Sequence, residues 1–307
     1  MRQTRRSFLQ TGTAAIGAAT LLPARWAAAS VTMGDMEIFS VSDGNLTLPT
    51  SFLLGTMPQD ELPGVLAEFG LDGLDQMTPP CNVTVMRQGD RVVLFDTGAG
   101  HAFQDSAGQL LDALDTVGIA PDDVTHVVFT HAHPDHLWGV LDDFDDAMFY
   151  NAQHMIGQAE WDYWTNPNTV DEIGADRASF AVGAQRRLEA IEENLVFFDD
   201  GAEILPGVAA RASYGHTPGH MAFELRNGSE GLMVVGDSIG NGHVAFARPQ
   251  WASGSDQDAE TAVRTRQSLL DQLATDQMRL IGYHLPGNGI GRVERKGDSY
   301  RFVPEGA

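Results

Sequence analysis

The chain has 307 residues, of which 43% are hydrophobic, and it carries 19 Lys and Arg against 42 Asp and Glu, a formal net charge of −23 at pH 7. This composition is typical of a globular protein. The acidic balance excludes nucleic acid and an anionic membrane surface as partners, because both bind through clustered basic residues.

The first 29 residues resemble a twin-arginine signal peptide. Arg5-Arg6 precede an apolar run from Phe8 to Ala24, which is too short and too rich in small residues for a good transmembrane helix. Ala27 to Ala29 then supply an A-x-A cleavage site. An arginine pair that opens an ordinary N-terminal helix is the alternative. We predict an export signal over residues 1–29, a single domain over residues 30–307, and a periplasmic or secreted protein.

The rest of the chain alternates strand-rich blocks with helices. Alternating apolar residues predict a strand over Glu37 to Ser42 that turns at Asp43-Gly44, and a hairpin of Asn82 to Arg87 with Arg91 to Phe95. Further strands are predicted over Val124 to Thr130, Ala147 to Asn151, Val208 to Ser213, Ala222 to Leu225, Leu232 to Val235 and Met278 to Tyr283, with a last hairpin around Gly297-Asp298. Helices are predicted near Leu62 to Phe69, over Asp105 to Val117, around 153–164 and 176–194, and over Asp256 to Thr275. This order indicates an α/β protein with two sheets packed face to face and helices outside.

A histidine cluster directly follows the apolar strand that ends at Thr130. It runs His131-Ala132-His133-Pro134-Asp135-His136. Side chains alternate along a strand, so two histidines spaced by two residues point the same way, and Pro134 bends the chain so that Asp135 and His136 can turn back. Such ligands suit zinc, or iron, cobalt or manganese. A His-rich surface loop is the alternative interpretation.

Three more candidate ligands each follow a predicted strand. They are His216 in Gly-His-Thr-Pro-Gly-His, Asp237 in Val-Val-Gly-Asp-Ser, and His284 in Gly-Tyr-His-Leu-Pro. Any one of them alone would be a weak signal. One metal needs only about three protein ligands plus water, so the joint order of His and Asp motifs predicts a site for two metals.

At these motifs the chain resembles the metallo-β-lactamase superfamily. Asp96-Thr97-Gly98 matches the upstream D-T-G element of that family, and Gly215 to His220 with the C-terminal segment from Gly289 looks most like the exported methyl parathion hydrolase and lactonase-like branch. The resemblance implies an αββα sandwich with the metals at one edge of the sheets. It also implies a first metal on His131, His133 and His216, a second on Asp135, His136 and His284, and Asp237 as the bridge between them.

The expected chemistry follows from two bound divalent ions, for which zinc is the first choice. A bound metal lowers the pKa of water to about 7, which provides a hydroxide nucleophile, and it polarises the oxygen under attack. Asp135 is the candidate catalytic residue, as a ligand that also carries a proton to the leaving group. No G-x-S-x-G elbow offers a serine nucleophile.

Specificity is expected to come from aromatic side chains, for which Phe103, Trp164 and Phe180 are the candidates. Trp138 stands where the family commonly has Gly, and we expect its ring to pack under the loop. The resemblance implies a small neutral substrate, a lactone, aryl ester or phosphotriester, and a homodimer. The alternatives are a β-lactamase and a non-hydrolytic redox or binding protein of the same fold. Redox relatives place Glu where His133 stands and add a flavin domain, and this chain has neither.

Overall fold

The computed structural model describes residues 29–305, so the predicted export signal lies outside the described residues except for Ala29. The strands up to residue 198 are β1 (Ala29–Met33), β2 (Met36–Asn45), β3 (Leu48–Pro49), β4 (Gln76–Met77), β5 (Pro80–Gln88), β6 (Arg91–Phe95), β7 (His126–Val128), β8 (Gln153–Gly157) and β9 (Leu195–Phe198). They continue as β10 (Glu203–Leu205), β11 (Val208–Ala212), β12 (Met221–Asn227), β13 (Glu230–Gly236), β14 (Arg279–Gly282), β15 (Ile290–Lys296) and β16 (Ser299–Pro304).

The α-helices are α1 (Thr50–Leu54), α2 (Leu62–Ala67), α3 (Leu110–Thr116), α4 (Pro134–Leu137), α5 (Gln158–Thr165), α6 (Thr169–Glu172), α7 (Ala178–Ile191), α8 (Val244–Ala247) and α9 (Ala259–Asp276). Among these helices of the described chain, none has both the length and the apolar character needed to cross a bilayer.

Two seven-stranded sheets organise residues 29–305. The first has the order β1-β2-β5-β6-β7-β8-β9 and is parallel from β6 to β9. The second has the order β10-β11-β12-β13-β14-β15-β16 and contains one parallel pair, β13 with β14. The sequence prediction of an αββα sandwich is confirmed.

The two faces of each sheet belong to different parts of the core. Along β6, Val92 and Leu94 pack with the helices α3, α5 and α7. Val93 and Phe95 point to the opposite face, as successive side chains of a strand must, and pack with the second sheet. On the outer face of that sheet, Leu270 of α9 belongs to a further apolar cluster. The order of layers is therefore helices, sheet, sheet, helix.

The turn predicted at Asp43-Gly44 is wrong. β2 runs through both residues, and its hairpin partner is β1, reached by the turn at Gly34-Asp35. The Asp43 carboxylate is buried, and it accepts hydrogen bonds from the backbone N–H groups of Ala99, Gly108 and Leu110 at 2.8, 3.2 and 2.8 Å. The Asp-Gly pair anchors two loops instead of ending a strand, and it holds residues 105–109 out of the predicted helix, so that α3 begins at Leu110.

The strand predicted over Ala147 to Asn151 is also wrong. Apart from an isolated bridge between Leu141 and Ala147, this segment forms turns, and the strand is β8 from Gln153, where a helix was predicted. β8 lies between two parallel neighbours, β7 and β9, and is buried from His154 to Gly157. A strand buried on both faces has no alternating pattern, which is why its sequence is easily taken for a helix.

Candidate metal centre

Three histidine nitrogens meet at the edge of the sheets where β7 and β11 end. His131 and His133 lie on the loop between β7 and α4, and His216 lies on the loop between β11 and β12. His133 Nδ1 is 3.0 Å from His131 Nε2 and 2.9 Å from His216 Nε2, and all three side chains are buried. Tetrahedral zinc with nitrogen ligands at about 2.0–2.1 Å holds neighbouring nitrogens roughly 3.3 Å apart, which is close to this spacing.

A second set of ligands adjoins the first. Asp135 Oδ2 is 3.4 Å from His136 Nε2 and 3.2 Å from His284 Nε2. Asp237, directly after β13, touches both sets. Its Oδ2 is 3.3 Å from His216 Nε2 and 3.2 Å from His284 Nε2, and its Oδ1 is 3.3 Å from His136 Nε2. The structure thus brings all seven predicted ligands into one cluster, with Asp237 between the two sets.

The unsatisfied atoms of this cluster test whether it fits a metal. Within residues 29–305, Asp135 Oδ2, His136 Nε2 and Asp237 Oδ1 are buried and contact one another at 3.3–3.4 Å, but they make no hydrogen bond of good geometry. Leaving a buried polar atom without a partner costs about 1–3 kcal/mol, and here three such atoms face the same space. A divalent cation would satisfy all of them, and imidazole with carboxylate is a zinc-type donor set. The residues present therefore fit divalent metal binding.

Hydrogen bonds behind the ligands fix the orientation of two rings through one carboxylate, that of Asp96. His136 Nδ1 donates to Asp96 Oδ2 over 2.8 Å. The Thr130 hydroxyl also donates to Asp96 Oδ2, over 2.7 Å, and its oxygen lies 3.0 Å from His131 Nδ1, which donates to it. Because each ring uses Nδ1 as a donor, Nε2 is left free to bind metal.

The other three histidines have their own partners. His216 Nδ1 donates to Asp256 Oδ1 over 3.2 Å, and His284 Nδ1 donates to the Pro80 carbonyl over 2.8 Å. The Gln257 amide lies 3.1 Å from His133 Nε2, while its buried Oε1 has no partner. A half-turn of the amide places Oε1 against His133 Nε2–H and satisfies both groups, which leaves His133 Nδ1 free toward the metal.

A buried glutamate joins the two loops that carry the first histidine set. The Glu160 side chain, on α5, is fully buried. Its Oε1 accepts from the Ala132 backbone N–H at 2.9 Å and from Trp164 Nε1–H at 2.5 Å. Its Oε2 accepts from the Thr217 hydroxyl at 2.7 Å and from the Gly219 N–H at 3.0 Å. One carboxylate therefore holds the His131–His133 loop and the His216 loop at a fixed separation.

The backbone at Asp237 depends on a close contact with His220. His220 Nε2 accepts the Asp237 backbone N–H over 3.0 Å. Gly236 has φ +49°, and a Cβ there would lie 2.7 Å from His220 Nε2. Glycine is required on both grounds, and His220, a candidate supporting group in the sequence, positions the backbone of the candidate ligand Asp237.

Burial and charge set the protonation of the ligands. Burial lowers the pKa of His131 and of His133 well below the usual range, so both are neutral and able to ligate. Burial alone would also lower the pKa of His284, but Asp237 and Asp135 beside it raise that pKa to about 10. Burial would raise the pKa of Asp237, but His284 and His136 hold it well below its usual range. Metal binding must therefore displace the proton of His284.

A cavity of about 280 Å³ opens onto the cluster. His133, Asp135, Asp237 and His284 form its floor, and its walls are largely apolar and include two of the predicted pocket residues, Phe103 and Phe180. The third behaves differently, since Trp164 is fully buried beneath His133, with ring centroids 5.7 Å apart, and its indole N–H is held by Glu160. Trp138 packs as expected, between Phe103 and the Arg187 guanidinium, 4.2 Å from its ring.

Three residues at this site had no signal in the sequence. Glu160 looks like an ordinary charged helix residue, and Gln257 and Arg177, which also lines the cavity, fall in segments without a motif. Only the meeting of distant segments reveals their partners. Cys81, given no role in the sequence, is buried with its sulfur within 4.8 Å of ligand atoms of Asp135 and His284.

Comparison with known proteins gives a family match and several relatives. The protein-family model described as the metallo-beta-lactamase superfamily matches residues 78–284 of the sequence. Metallo-beta-lactamase domain-containing protein 1 of Xenopus laevis is 42% identical over 158 residues, 52% of this chain and 50% of that protein. An N-acyl homoserine lactonase of Bacillus cereus is 24% identical over 133 residues, 41% of this chain and 43% of that protein. The chain thus spans about half the length of these curated relatives or less.

Solved structures match over far more of the chain. The dizinc quorum-quenching lactonase AidC, in complex with an N-acyl-L-homoserine product, has a TM-score of 0.85 and 27% identity, over 91% of this chain and 98% of that one. The hydrolase AbOPH of the beta-lactamase superfamily has a TM-score of 0.83 and 25% identity, over 90% and 97%. These relatives support the sequence prediction of a hydrolase that acts on ester bonds.

Proposed function

Because the chain belongs to the metallo-β-lactamase superfamily, we propose that it is a dinuclear metal-dependent hydrolase of the methyl parathion hydrolase and lactonase-like branch. Its substrate is a neutral, largely apolar ester-type molecule, with a lactone as the first candidate. The observation that carries the proposal is the pair of ligand sets around Asp237, whose carboxylate lies within 3.3 Å of His216 in the first set and of His136 and His284 in the second.

Two divalent cations, which we propose to be zinc, would supply Lewis-acid polarisation of the ester oxygen and a lowered pKa for water. His131, His133 and His216 would hold the first, Asp135, His136 and His284 the second, and Asp237 both. The five imidazoles are neutral as ligands, so two divalent cations with the carboxylates of Asp135 and Asp237 would keep two positive charges, which favours an anionic nucleophile and a developing oxyanion.

The chain's own residues account for the remaining steps. Asp135 lines the cavity floor, and its carboxylate can take a proton from the nucleophile and pass it to the leaving alkoxide. The Tyr283 hydroxyl donates to the Asp135 backbone carbonyl and holds that turn in place. Phe103 and Phe180 pack edge to face, with ring centroids 5.9 Å apart, and provide an apolar wall that excludes water from the bound ester.

The lactone assignment is supported by relatives named as N-acyl homoserine lactonases and by the dizinc lactonase structure. Aryl esters and phosphotriesters are the second candidates, because the apolar walls of the cavity suit an aromatic leaving group. The test is a panel of acyl-homoserine lactones, aryl esters, phosphotriesters and β-lactams on the metal-loaded protein. Turnover of lactones above the rest is expected, turnover of β-lactams alone would support the alternative class, and no turnover at all would refute hydrolysis.

The number of metals is tested separately by Asp237→Ala. If Asp237 is shared by two ions, its loss weakens both, and metal content measured by mass spectrometry should fall well below two per chain. An unchanged stoichiometry would refute the shared ligand. His126→Ala is a suitable control, because this histidine is half-buried on β7 and, among residues 29–305, its ring bonds only to Thr125.

We also propose export by the twin-arginine pathway and a periplasmic or secreted location, on the basis of Arg5-Arg6 and the apolar run that follows. A homodimer stays a prediction from the resemblance. Cell fractionation of the full chain and of a variant with both arginines replaced by lysine tests the export route.

A further inference from the structure

The cavity above the metal cluster contains one arginine, Arg177, at the residue before α7. The other walls are largely apolar and include Leu46, Leu48 and Phe52, with Gln104 and Ser255 as their polar side chains. A guanidinium stays charged in proteins and presents five N–H donors in a planar fork. The role of Arg177 in a largely apolar cavity therefore depends on which acceptors its donors bind.

The protein itself satisfies little of this group. Arg177 Nη2 donates to the Gly254 carbonyl over 2.6 Å, and the guanidinium carbon lies 5.7 Å from the centre of the Phe52 ring. Within residues 29–305 this is the side chain's one hydrogen bond to protein, and no carboxylate forms an ion pair with it. The half-buried cation lines the cavity and uses one of its five donors on the described protein, while Asp256 and Asp176 act on its charge from beyond ion-pair distance.

Most basic residues of the described chain are paired with a carboxylate. Arg186, on α7, binds Asp145 at the surface, and the buried Arg266 binds Asp256 and two backbone carbonyls. Four basic residues within residues 29–305 have no carboxylate partner, namely Arg91, Arg177, Arg187 and Arg248. Arg177 is the one of these four that lines the cavity. Pockets typically combine apolar walls with a few polar groups that fix the orientation of a ligand.

We propose that Arg177 binds the substrate and selects esters that carry a second oxygen acceptor, an amide carbonyl or a carboxylate, separated from the scissile ester by an apolar segment. This inference rests on the proposed function, because the metal cluster at the cavity floor is taken to hold the scissile ester. An amide acceptor keeps the substrate neutral, whereas a carboxylate acceptor would extend the proposed neutral class to an ester whose charge is balanced by Arg177. The acceptor would then fill the donors of Arg177 while the apolar segment lies along Phe52, Leu48 and their neighbours.

Three matched substrates test the proposal on the metal-loaded enzyme. Phenyl hexanoate has no second acceptor, phenyl 6-acetamidohexanoate has a terminal amide, and monophenyl adipate has a terminal carboxylate. Charged hydrogen bonds contribute about 1.5–3 kcal/mol, so Arg177→Met should lower kcat/KM for the acceptor-bearing esters roughly tenfold to a hundredfold. The loss should lie mainly in KM, and phenyl hexanoate should change by less than about twofold. The larger of the two losses identifies amide or carboxylate as the preferred acceptor.

Arg186→Met is the matched control, since it removes an arginine from the same helix but outside the cavity, and all three rates should stay unchanged. A purely structural role of Arg177, through Gly254 and Phe52, would lower all three rates alike and overturn the proposal. Equal rates for the three esters in the wild type would overturn it too.

A binding experiment tests the role of Arg177 independently of the proposed hydrolysis. Calorimetry with adipate and hexanoate needs no turnover. Adipate should bind the wild type more tightly than hexanoate, and Arg177→Met should remove that difference. If no ester is hydrolysed but this pattern holds, the proposed hydrolysis fails and the role of Arg177 stands. If esters are hydrolysed but adipate gains nothing from Arg177, the role of Arg177 fails alone. Should Arg177→Met not fold, Arg177→Lys keeps the charge without the fork and should still weaken adipate binding.

Discussion

Replacement of Glu160 by glutamine should weaken metal binding by the first ligand set while the protein keeps its fold. The carboxylate accepts four hydrogen bonds, two on each oxygen, and its donors belong to the loops of His131–His133 and of His216 or to the neighbouring Trp164. Glutamine has nearly the same shape but replaces one oxygen with an NH₂ group. That group can only donate, so it must face donors wherever it points.

The expected magnitude follows from the four partners. With NH₂ toward Ala132 and Trp164, two rigid N–H donors would oppose it, so the amide should turn its NH₂ toward Thr217 and Gly219. The Thr217 hydroxyl can rotate and accept, but the Gly219 N–H cannot and stays buried without a partner, at about 1–3 kcal/mol. Loss of the charge also weakens the remaining bonds. We expect Glu160→Gln to lower the free energy of unfolding by roughly 2–4 kcal/mol.

Two measurements check this reasoning. Urea unfolding of the metal-free protein gives the stability change, and competition with a chelator gives the metal affinity, which should fall at least tenfold because both loops lose their common anchor. Glu224→Gln is the matched control, since Glu224 is equally buried but binds Arg211 and Arg226. It should lower stability while metal affinity is unchanged. A Glu160→Gln protein that binds metal as tightly as the wild type would refute the proposed anchor.

Two further predictions concern histidine partners. Gln257→Leu leaves His133 Nε2–H without an acceptor and should weaken metal binding about tenfold or more, whereas Gln257→Glu, which keeps an acceptor, should not; chelator competition that finds both variants equal would contradict the assignment. His154 is buried, which lowers its pKa to about 4, so its contribution to stability is complete above the unfolded pKa of about 6.5 and is lost as pH falls toward 4, up to roughly 3 kcal/mol. His154→Leu should flatten the pH dependence of unfolding by urea in this window, and parallel curves for variant and wild type would contradict it.

The sequence predicts the sandwich and the ligand cluster well because both depend on local patterns. Each candidate ligand directly follows or closely trails an apolar strand, and strand ends meet at a sheet edge once the sheets form. The alternation of side chains along a strand is enough to predict that His131 and His133 point the same way. The order of the motifs along the chain is enough to identify His216, Asp237 and His284 as candidate ligands. Local patterns do not predict the role of Asp43, because its backbone partners lie far along the chain. Its Asp-Gly pair is also a common turn signal.

Residues that support the site are harder to predict for a physical reason. Glu160 lies in a helix with polar neighbours, where a charged residue is normally exposed. Four hydrogen-bond donors to its carboxylate offset the loss of hydration on burial. Trp164 was expected in the pocket as an aromatic side chain, but its N–H is bound by Glu160 and its ring is drawn into the core. The burial of Glu160 depends on donors from two loops that are distant in the sequence, and the burial of Trp164 depends in turn on Glu160, so the hydrophobic periodicity of α5 alone predicts neither.

The candidate ligands come from both sheets, with His131 after β7 of the first sheet and Asp237 and His284 after β13 and β14 of the second. Ions bound there would act as cross-links between chain segments that are remote in sequence, and would reduce the conformational entropy of the unfolded state only as long as the ligands stay attached. A chain with a single cysteine has no disulfide to do this. Its resistance to unfolding would then depend on the supply of free metal rather than on the redox potential.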